Sequence, residues 1–361
     1  MGKIRAAVCH DFGHPLSVEQ IELRAPTFGE VEVTLEACAI CHSDISFMDG
    51  GWGGSLPAVY GHEAAGRVSA VGTGVRGYEI GQPVLVTLIR ACRDCPPCAS
   101  GSPVSCETPP IMDNVLTSHK GTPINQAMEC GAFADKVVVD PSQLAPIPES
   151  LPMDVACLLS CGVITGVGAA VNAANVRPGQ TVVVIGAGGV GLNAIQGARI
   201  AGAAKIIAVD MVPEKLDTAK EFGATHGILA SDDKPWKQVA QITDRRMADA
   251  VLVSVGAVRA YNEAPRYLAP KGKVVMVGMP HSGDIAKYEP VIFAALGQGM
   301  IGTKMGDTVL RRDIPWLVDM YEQGRLKLDE LISGRWTLDQ INEAIEDTRS
   351  GAARRNVILF K

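Results

Sequence analysis

The chain has 361 residues, 47% hydrophobic and 20% charged, with 33 basic against 39 acidic side chains and a net charge of -6. That length implies two or three domains at roughly 100–200 residues each. An acidic balance without a basic stripe or a block of like charge speaks against a dedicated nucleic-acid binder and against a charged disordered tail.

The N-terminal MGKIRAAVCHDFGH carries no apolar run with a cleavage site, and Ala6 stands where myristoylation needs Ser or Thr, so a cytoplasmic protein is expected. Residues 1–150 read as short strands punctuated by glycine and proline: KIRAAVC, EVEVTLEAC, AAGRVSAVG, PVLVTLI and FADKVVVD. Several alternate apolar and polar residues and use β-branched side chains, which predicts a barrel-like or sandwich-like β unit. Two uncharged stretches follow, 155–176 and 178–198, each near the roughly 20 residues of a membrane span. Three glycines, Asn172 and Asn175 interrupt the first, six glycines the second, and only Arg177 separates them, so both read as buried globular segments.

From about residue 163 strands alternate with helices. VVVIG, KIIAVD, DAVLVSVG and KVVMVG are compact apolar strands, and PEKLDTAKEFG is a helix with Pro213 at its start and Gly223 at its end. Such alternation predicts a parallel sheet. After about residue 300 the pattern stops. DIPWLVDMYEQG places Ile314, Leu317, Val318 and Tyr321 on one helical face, and TLDQINEAIEDTRSG opens with Thr337 and Gln340 at capping-box spacing. NVILF reads as a last strand, and these closing elements are candidates to return to the first domain. There is no internal repeat.

Ten cysteines in a long chain without an export signal are expected to stay reduced, which leaves metal ligation and burial. Cys92, Cys95, Cys98 and Cys106 lie in CRDCPPCASGSPVSC, where C-x2-C steps let one turn present two sulfurs to one ion. Closed four-thiolate coordination marks a structural zinc; two disulfides or four idle thiols are the alternative. Cys41 in AICHSD, His62 in YGHEAAG and Cys161 form a dispersed second set. Each alone is most simply a packed side chain, but two thiolates and an imidazole leave a fourth zinc position open for water or substrate. Cys9, Cys38, Cys130 and Cys157 read as packing. VVVIGAGGVG holds G-x-G-x-x-G as Gly186, Gly188 and Gly191, after a strand and before a helix, with Asp210 ending the next strand. That context predicts dinucleotide binding, the pyrophosphate lying at a helix N-terminus, with a glycine-rich packing turn as the alternative.

With these motifs the chain resembles, over nearly its whole length, the medium-chain zinc-dependent alcohol dehydrogenases. Residues 61–75, GHEAAGRVSAVGTGV, are similar to the family's zinc signature, with Gly61, His62, Glu63, Gly66, Gly72 and Val75 in register. CGVITGVGAA resembles the segment that supplies the third catalytic ligand, here Cys161, and continues into the coenzyme domain through Thr165. GAARRNVILF resembles the terminal strand, with Arg355 where the family meets the coenzyme pyrophosphate. The resemblance implies an α/β protein: a GroES-like β-rich catalytic domain with a structural zinc lobe over 1–162 and 303–361, and a Rossmann doubly wound parallel-sheet domain over 163–302. It implies two zinc ions per chain, NAD, a small alcohol or aldehyde, a homodimer or homotetramer, and neither nucleic acid nor membrane as partner.

In the family mechanism zinc lowers the pKa of the alcohol, and hydride passes to the nicotinamide. By resemblance Ser43 takes the hydroxyl proton and hands it to the coenzyme ribose. His42 and Arg355 meet the pyrophosphate, Lys215 and Thr165 join Asp210 at the coenzyme, Asp44 orients His62, and Glu63 assists ligand exchange. Asp210 faces a ribose well but a 2′-phosphate badly, and Met211 offers no arginine to compensate, so NAD is expected over NADP. Two positions depart from many relatives. Ser46 stands where a histidine ends the proton relay, and Leu88 stands where several relatives carry an aromatic pocket residue. With Trp52 as a second candidate pocket wall, a core or interface tryptophan being the equal alternative, Leu88 points to primary alcohols, medium-chain or arylalkyl, ahead of ethanol and polyols. The same residues also admit a nicotinoprotein-type dehydrogenase that holds NAD permanently, and, less simply, a zinc-bearing structural protein without turnover.

Overall fold

The computed structural model describes residues 2–109 and 114–360. The chain forms two compact units: one runs to Cys161 and takes in Val309–Gly324 and the chain from Leu328 on, and the other comprises Gly162–Thr308 and Arg325–Lys327. The second unit thus also holds residues 303–308 and 325–327, outside the 163–302 expected from sequence. Backbone contacts explain this. Asn172 Nδ2 donates to the Gly306 carbonyl at 3.0 Å, and the Gln196 side chain exchanges two hydrogen bonds with the Lys327 backbone, 2.7 and 3.0 Å.

In the first unit the strands Gly2–Cys9, Ser17–Leu23, Leu116–Thr117, Pro123–Gln126 and Ala58–Val59 close a small barrel. A second, seven-stranded sheet is centred on Val31–Ala39 and Glu63–Val71, which pair antiparallel so that Ala39 lies opposite Glu63. Val31–Ala39 alternates buried and half-buried residues along most of its length, as a sheet with one face on the core requires. The expected strand PVLVTLI stops at Val86 and FADKVVVD reduces to Lys136–Val139. The closing elements do return here: Arg355–Leu359 pairs with Val31–Ala39. The helix Leu310–Glu322 buries Ile314, Leu317 and Val318, whereas Tyr321 is half-exposed and donates its hydroxyl to Asp329. The capping box is present, Gln340 Oε1 accepting the Thr337 N–H at 3.2 Å.

The second unit is a six-stranded, all-parallel sheet ordered His226–Leu229, Lys205–Asp210, Thr181–Ile185, Ala248–Val253, Leu268–Met276, Gly299–Gly302. Counted along the chain this is 3-2-1-4-5-6, the doubly wound order whose switch point lies beside the first strand. Thr181–Ile185 is buried at every position, the signature of a strand covered on both faces. Among the described residues no single helix is long and apolar enough to cross a membrane. The 178–198 stretch divides into the strand Thr181–Ile185 and the helix Gly189–Ile200.

Candidate active site and metal centres

One buried carboxylate organises the first centre. Asp44 sits in the short helix His42–Met48 that follows Cys41 and is fully buried. Its Oδ2 accepts the Cys41 backbone N–H at 3.0 Å. Its Oδ1 accepts the Gly61 N–H at 3.0 Å and lies 3.0 Å from His62 Nδ1. With Nδ1 as donor, the Nε2 lone pair is left for a metal, and Ser43 Oγ lies 3.3 Å from that nitrogen. Gly61 has φ +91°, and a Cβ there would stand 2.6 Å from the Phe133 nitrogen, so the turn presenting His62 requires glycine. Buried Ser160 donates to the Ala64 carbonyl at 2.9 Å, pinning the turn before Cys161 to the strand that begins at Glu63. The result gathers Cys41, His62, Glu63 and Cys161, all buried, with ligand atoms within 4.8 Å of one another.

Charge is concentrated here. A hydrogen bond from Cys161 pulls the Cys41 thiol well below its usual range, and the same bond together with burial pushes Cys161 well above it. Burial disfavours imidazolium at His62, but Asp44 and then Cys41 outweigh it and hold the ring well above its ordinary pKa. Burial pushes Glu63 up to about 8 despite Arg355, whose Nη1 lies 3.6 Å from Glu63 Oε1. Neither Glu63 oxygen has a hydrogen-bond partner. Buried, unsatisfied carboxylate oxygens beside two thiols and an imidazole are costly in a dry site. A dication held by Cys41, His62 and Cys161 fits this donor set, with Glu63 alongside. Arg355 is buried against Glu63, Cys41 and Cys161, its guanidinium more firmly protonated for their charge.

The second centre is the four-cysteine loop. Cys92 and Cys98 sulfurs are 4.0 Å apart, and those of Cys95 and Cys106 3.9 Å. Four sulfurs at about 2.3 Å around one zinc stand about 3.8 Å apart, whereas a disulfide needs about 2.05 Å. All four thiols are free. Backbone N–H groups of Cys95 and Asp94 point at Cys92 Sγ, and that of Cys92 at Cys106 Sγ, 3.2–3.4 Å away. Hydrogen bonding to Thr108 and these amides brings the Cys92 thiol down to about 6, a sulfur ready to ligate as thiolate. Cys38, Cys130 and Cys157 are instead buried, and burial pushes their thiols well up.

In the second unit the glycine loop leaves Thr181–Ile185 and enters the helix Gly189–Ile200 with Gly188 as its N-cap. Gly186 has φ +96°, and a Cβ on Gly191 would lie 1.8 Å from the Gly186 carbonyl, while a Cβ on Gly188 would meet nothing within 4 Å. The first and third glycines therefore serve the turn and its packing, and the middle one faces open space at the helix start. Asp210 Oδ2 accepts the Ala187 N–H at 2.7 Å and its Oδ1 the Val212 N–H at 3.0 Å. A carboxylate has about four acceptor positions, so about two remain. Lys215 is half-buried in the helix Pro213–Glu221, Met211 is exposed, and Thr165 Oγ1 lies 3.7 Å from Met305 Sδ.

His42 is exposed at the first position of its helix, and Ser46 is half-buried near its end. Leu88 packs half-buried against the first unit's core. Trp52 is half-exposed and meets Phe47 edge-on, ring centroids 5.1 Å apart. Sequence reasoning gave Asp44 one partner and the structure gives it three; it missed Ser160, whose only signal was adjacency to Cys161.

Comparison with known proteins agrees with this geometry. Residues 27–149 match the family model for an alcohol dehydrogenase GroES-like domain, and residues 189–323 that for a zinc-binding dehydrogenase. An NDMA-dependent alcohol dehydrogenase of Amycolatopsis methanolica is 35% identical over 99% of both chains, and an alcohol dehydrogenase of Malus domestica 34% identical over 99% of this chain and 97% of its own. Among solved structures, an alcohol dehydrogenase zinc-binding domain protein from Burkholderia ambifaria superposes with a TM-score of 0.96 at 33% identity, covering 100% of this chain and 99% of its own. Benzyl alcohol dehydrogenase from Acinetobacter calcoaceticus gives 0.94 at 29% identity, with full coverage of both. The chain belongs to the zinc-binding, medium-chain alcohol dehydrogenase family. It is an oxidoreductase of small alcohols and aldehydes, in a family whose cofactors are zinc and a nicotinamide dinucleotide.

Proposed function

We infer that the protein oxidises primary alcohols, medium-chain or aryl, with NAD as hydride acceptor, using one catalytic and one structural zinc per chain. The observation that carries this is the convergence of Cys41, His62 and Cys161, with Ser43 Oγ beside the ligating nitrogen. Zinc held there supplies Lewis acidity that brings an alcohol's proton within reach of a weak base. Ser43 accepts that proton, and Asp44 keeps His62 in the ligating tautomer. Glu63 stands in reserve for ligand exchange. Arg355 Nη2, buried and without a hydrogen-bond partner, is a spare donor for a coenzyme phosphate oxygen. Asp210 keeps acceptor capacity for the two ribose hydroxyls, which favours NAD. With serine at position 46 the relay ends in water.

Leu88 and the Phe47–Trp52 pair are apolar pocket candidates, and the benzyl alcohol activity named for one structural relative accords with an arylalkyl substrate. A polyol hydroxyl left unpaired costs about 1–3 kcal/mol. The test is a steady-state comparison of ethanol, hexanol, benzyl alcohol and sorbitol at saturating NAD. A benzylic or medium-chain alcohol is expected to have the highest kcat/KM; ethanol or sorbitol at the top would overturn the pocket assignment.

A second possibility follows from the NDMA dependence named for one relative: a dehydrogenase that keeps its NAD and regenerates it on a second substrate. Nicotinamide absorbance that co-elutes with the protein on gel filtration, with turnover supported by NDMA and not by added NAD, would establish it.

A homodimer is the expected smallest assembly. Ile285, Tyr288, Val291, Ile292 and Ile301 are exposed in one stretch of chain that ends in the sheet's edge strand Gly299–Gly302. An open strand edge flanked by exposed apolar side chains is the face a second copy would cover.

A further inference from the structure

Beside the four-cysteine loop the first unit holds a cavity of about 420 Å³. Its walls are apolar: Ile89, Pro103, Leu144, Val309 and Leu310. Two exposed arginines, Arg93 and Arg311, also line it, with Ser142 and Cys98 as further polar side chains, and Arg311 is hydrogen-bonded to the Tyr78 hydroxyl. Neither arginine forms an ion pair with a carboxylate among the described residues, whereas Arg24, Arg67, Arg312, Arg335 and Arg349 all do. Arg93 also occupies an unusual backbone position. Lying between the ligands Cys92 and Cys95, it has φ +68°, a left-handed conformation that glycine adopts freely and arginine does not. Its backbone N–H bonds to the Cys98 sulfur, so this turn belongs to the four-cysteine loop, and the same residue lines the cavity.

We propose that this cavity binds a small amphipathic carboxylate, its apolar chain seated among Ile89, Leu144 and Leu310 and its carboxylate taken by Arg93 and Arg311. The volume lies within the roughly 300–1,000 Å³ of small-molecule pockets. The chemistry is complementary: guanidinium groups take carboxylates through paired, charge-assisted hydrogen bonds, and the apolar lining takes the body. Cys98 lies in the same wall. A ligand there therefore touches the zinc lobe on one side and the start of the helix Leu310–Glu322 on the other, and it should hold the lobe closed. If the lobe must open to lose its metal, a ligand at ten times its Kd slows release about tenfold.

The probe is octanoate, titrated calorimetrically into the zinc-loaded protein, with octanamide as the neutral control and inorganic phosphate as the anion without an apolar body. One octanoate per chain is expected, bound at least tenfold more tightly than either control. Arg93→Gly and Arg311→Gln should each weaken it about tenfold, while Arg93→Gly folds at least as well as the parent because it relieves the left-handed backbone. Octanoate should slow zinc release from the four-cysteine site, followed with a colorimetric chelator, in the parent and not in the variants. Binding that survives both substitutions, that benzyl alcohol with NAD displaces, or that octanamide or phosphate matches would overturn the proposal.

Discussion

Asp44→Asn is the sharpest perturbation of the catalytic centre, because the structure fixes what each oxygen of Asp44 does. The carboxylate receives three N–H groups, from Cys41 on Oδ2 and from Gly61 and His62 on Oδ1, each at 3.0 Å. Asparagine has one acceptor oxygen. Placed toward Gly61 and His62 it keeps two partners and turns its NH2 group onto the Cys41 N–H; the opposite orientation forfeits two and is worse. At least one buried donor is therefore unpaired, costing about 1–3 kcal/mol. Ligand geometry suffers too, since loss of such a supporting partner typically weakens metal binding about 10–100-fold, or about 1.4–2.7 kcal/mol. The assay is chelator competition on the purified variant, resolving the two zinc sites, alongside thermal unfolding. The catalytic zinc should weaken by 10-fold or more in rough terms while the four-cysteine zinc stays put, with the Tm lower by several degrees. Affinity within threefold of the parent, together with an unchanged Tm, would refute the view that one carboxylate positions both ligands.

Ser43→Ala should lower alcohol oxidation by about 10²–10⁴-fold with zinc content intact, the usual worth of a positioned proton acceptor; a loss under threefold would take Ser43 off the proton path. Asp210→Gly should narrow the preference for NAD over NADP measured as a ratio of kcat/KM, and should also cost stability, because the Ala187 and Val212 N–H groups lose their acceptor. Equal use of both coenzymes by the parent would contradict the role given to Asp210. Val291→Asp on the exposed apolar stretch should convert a dimer into a monomer on light scattering after gel filtration; a parent that is already monomeric would remove the reason for that face.

What could be read from the sequence was local. Four cysteines within one loop, or three glycines between a strand and a helix, show their chemistry by spacing alone, because the backbone joining them is short. The dispersed centre was legible only as residue types plus a family resemblance. Cys41, His62 and Cys161 are held together by hydrogen bonds between residues far apart in the chain, Asp44 to Gly61 and Ser160 to Ala64, and nothing in a linear pattern announces them. Arg355 shows the same limit: resemblance placed it at a phosphate, and the fold shows what else surrounds it, a buried Glu63 and two thiols. Among the strands, Gly299–Gly302 went unread because two of its four residues are glycine, a residue depleted in strands. His226–Leu229 has only four residues, too few to show a period. Both are held by their parallel neighbours more than by their own propensity.

The central claim is that alcohol oxidation runs at the Cys41–His62–Cys161 zinc while the four-cysteine zinc serves the fold. The direct measurement follows NADH formation from benzyl alcohol as the more exchangeable zinc is withdrawn by a mild chelator and then restored, with zinc per chain determined at each step. Activity should fall in proportion to the loss of one of two zinc ions, with the fold retained, and should return on restoration; Cys161→Ser should mimic the loss, and Cys95→Ser should instead impair folding. Full activity with one zinc or fewer per chain, or activity indifferent to Cys161→Ser, would contradict the account.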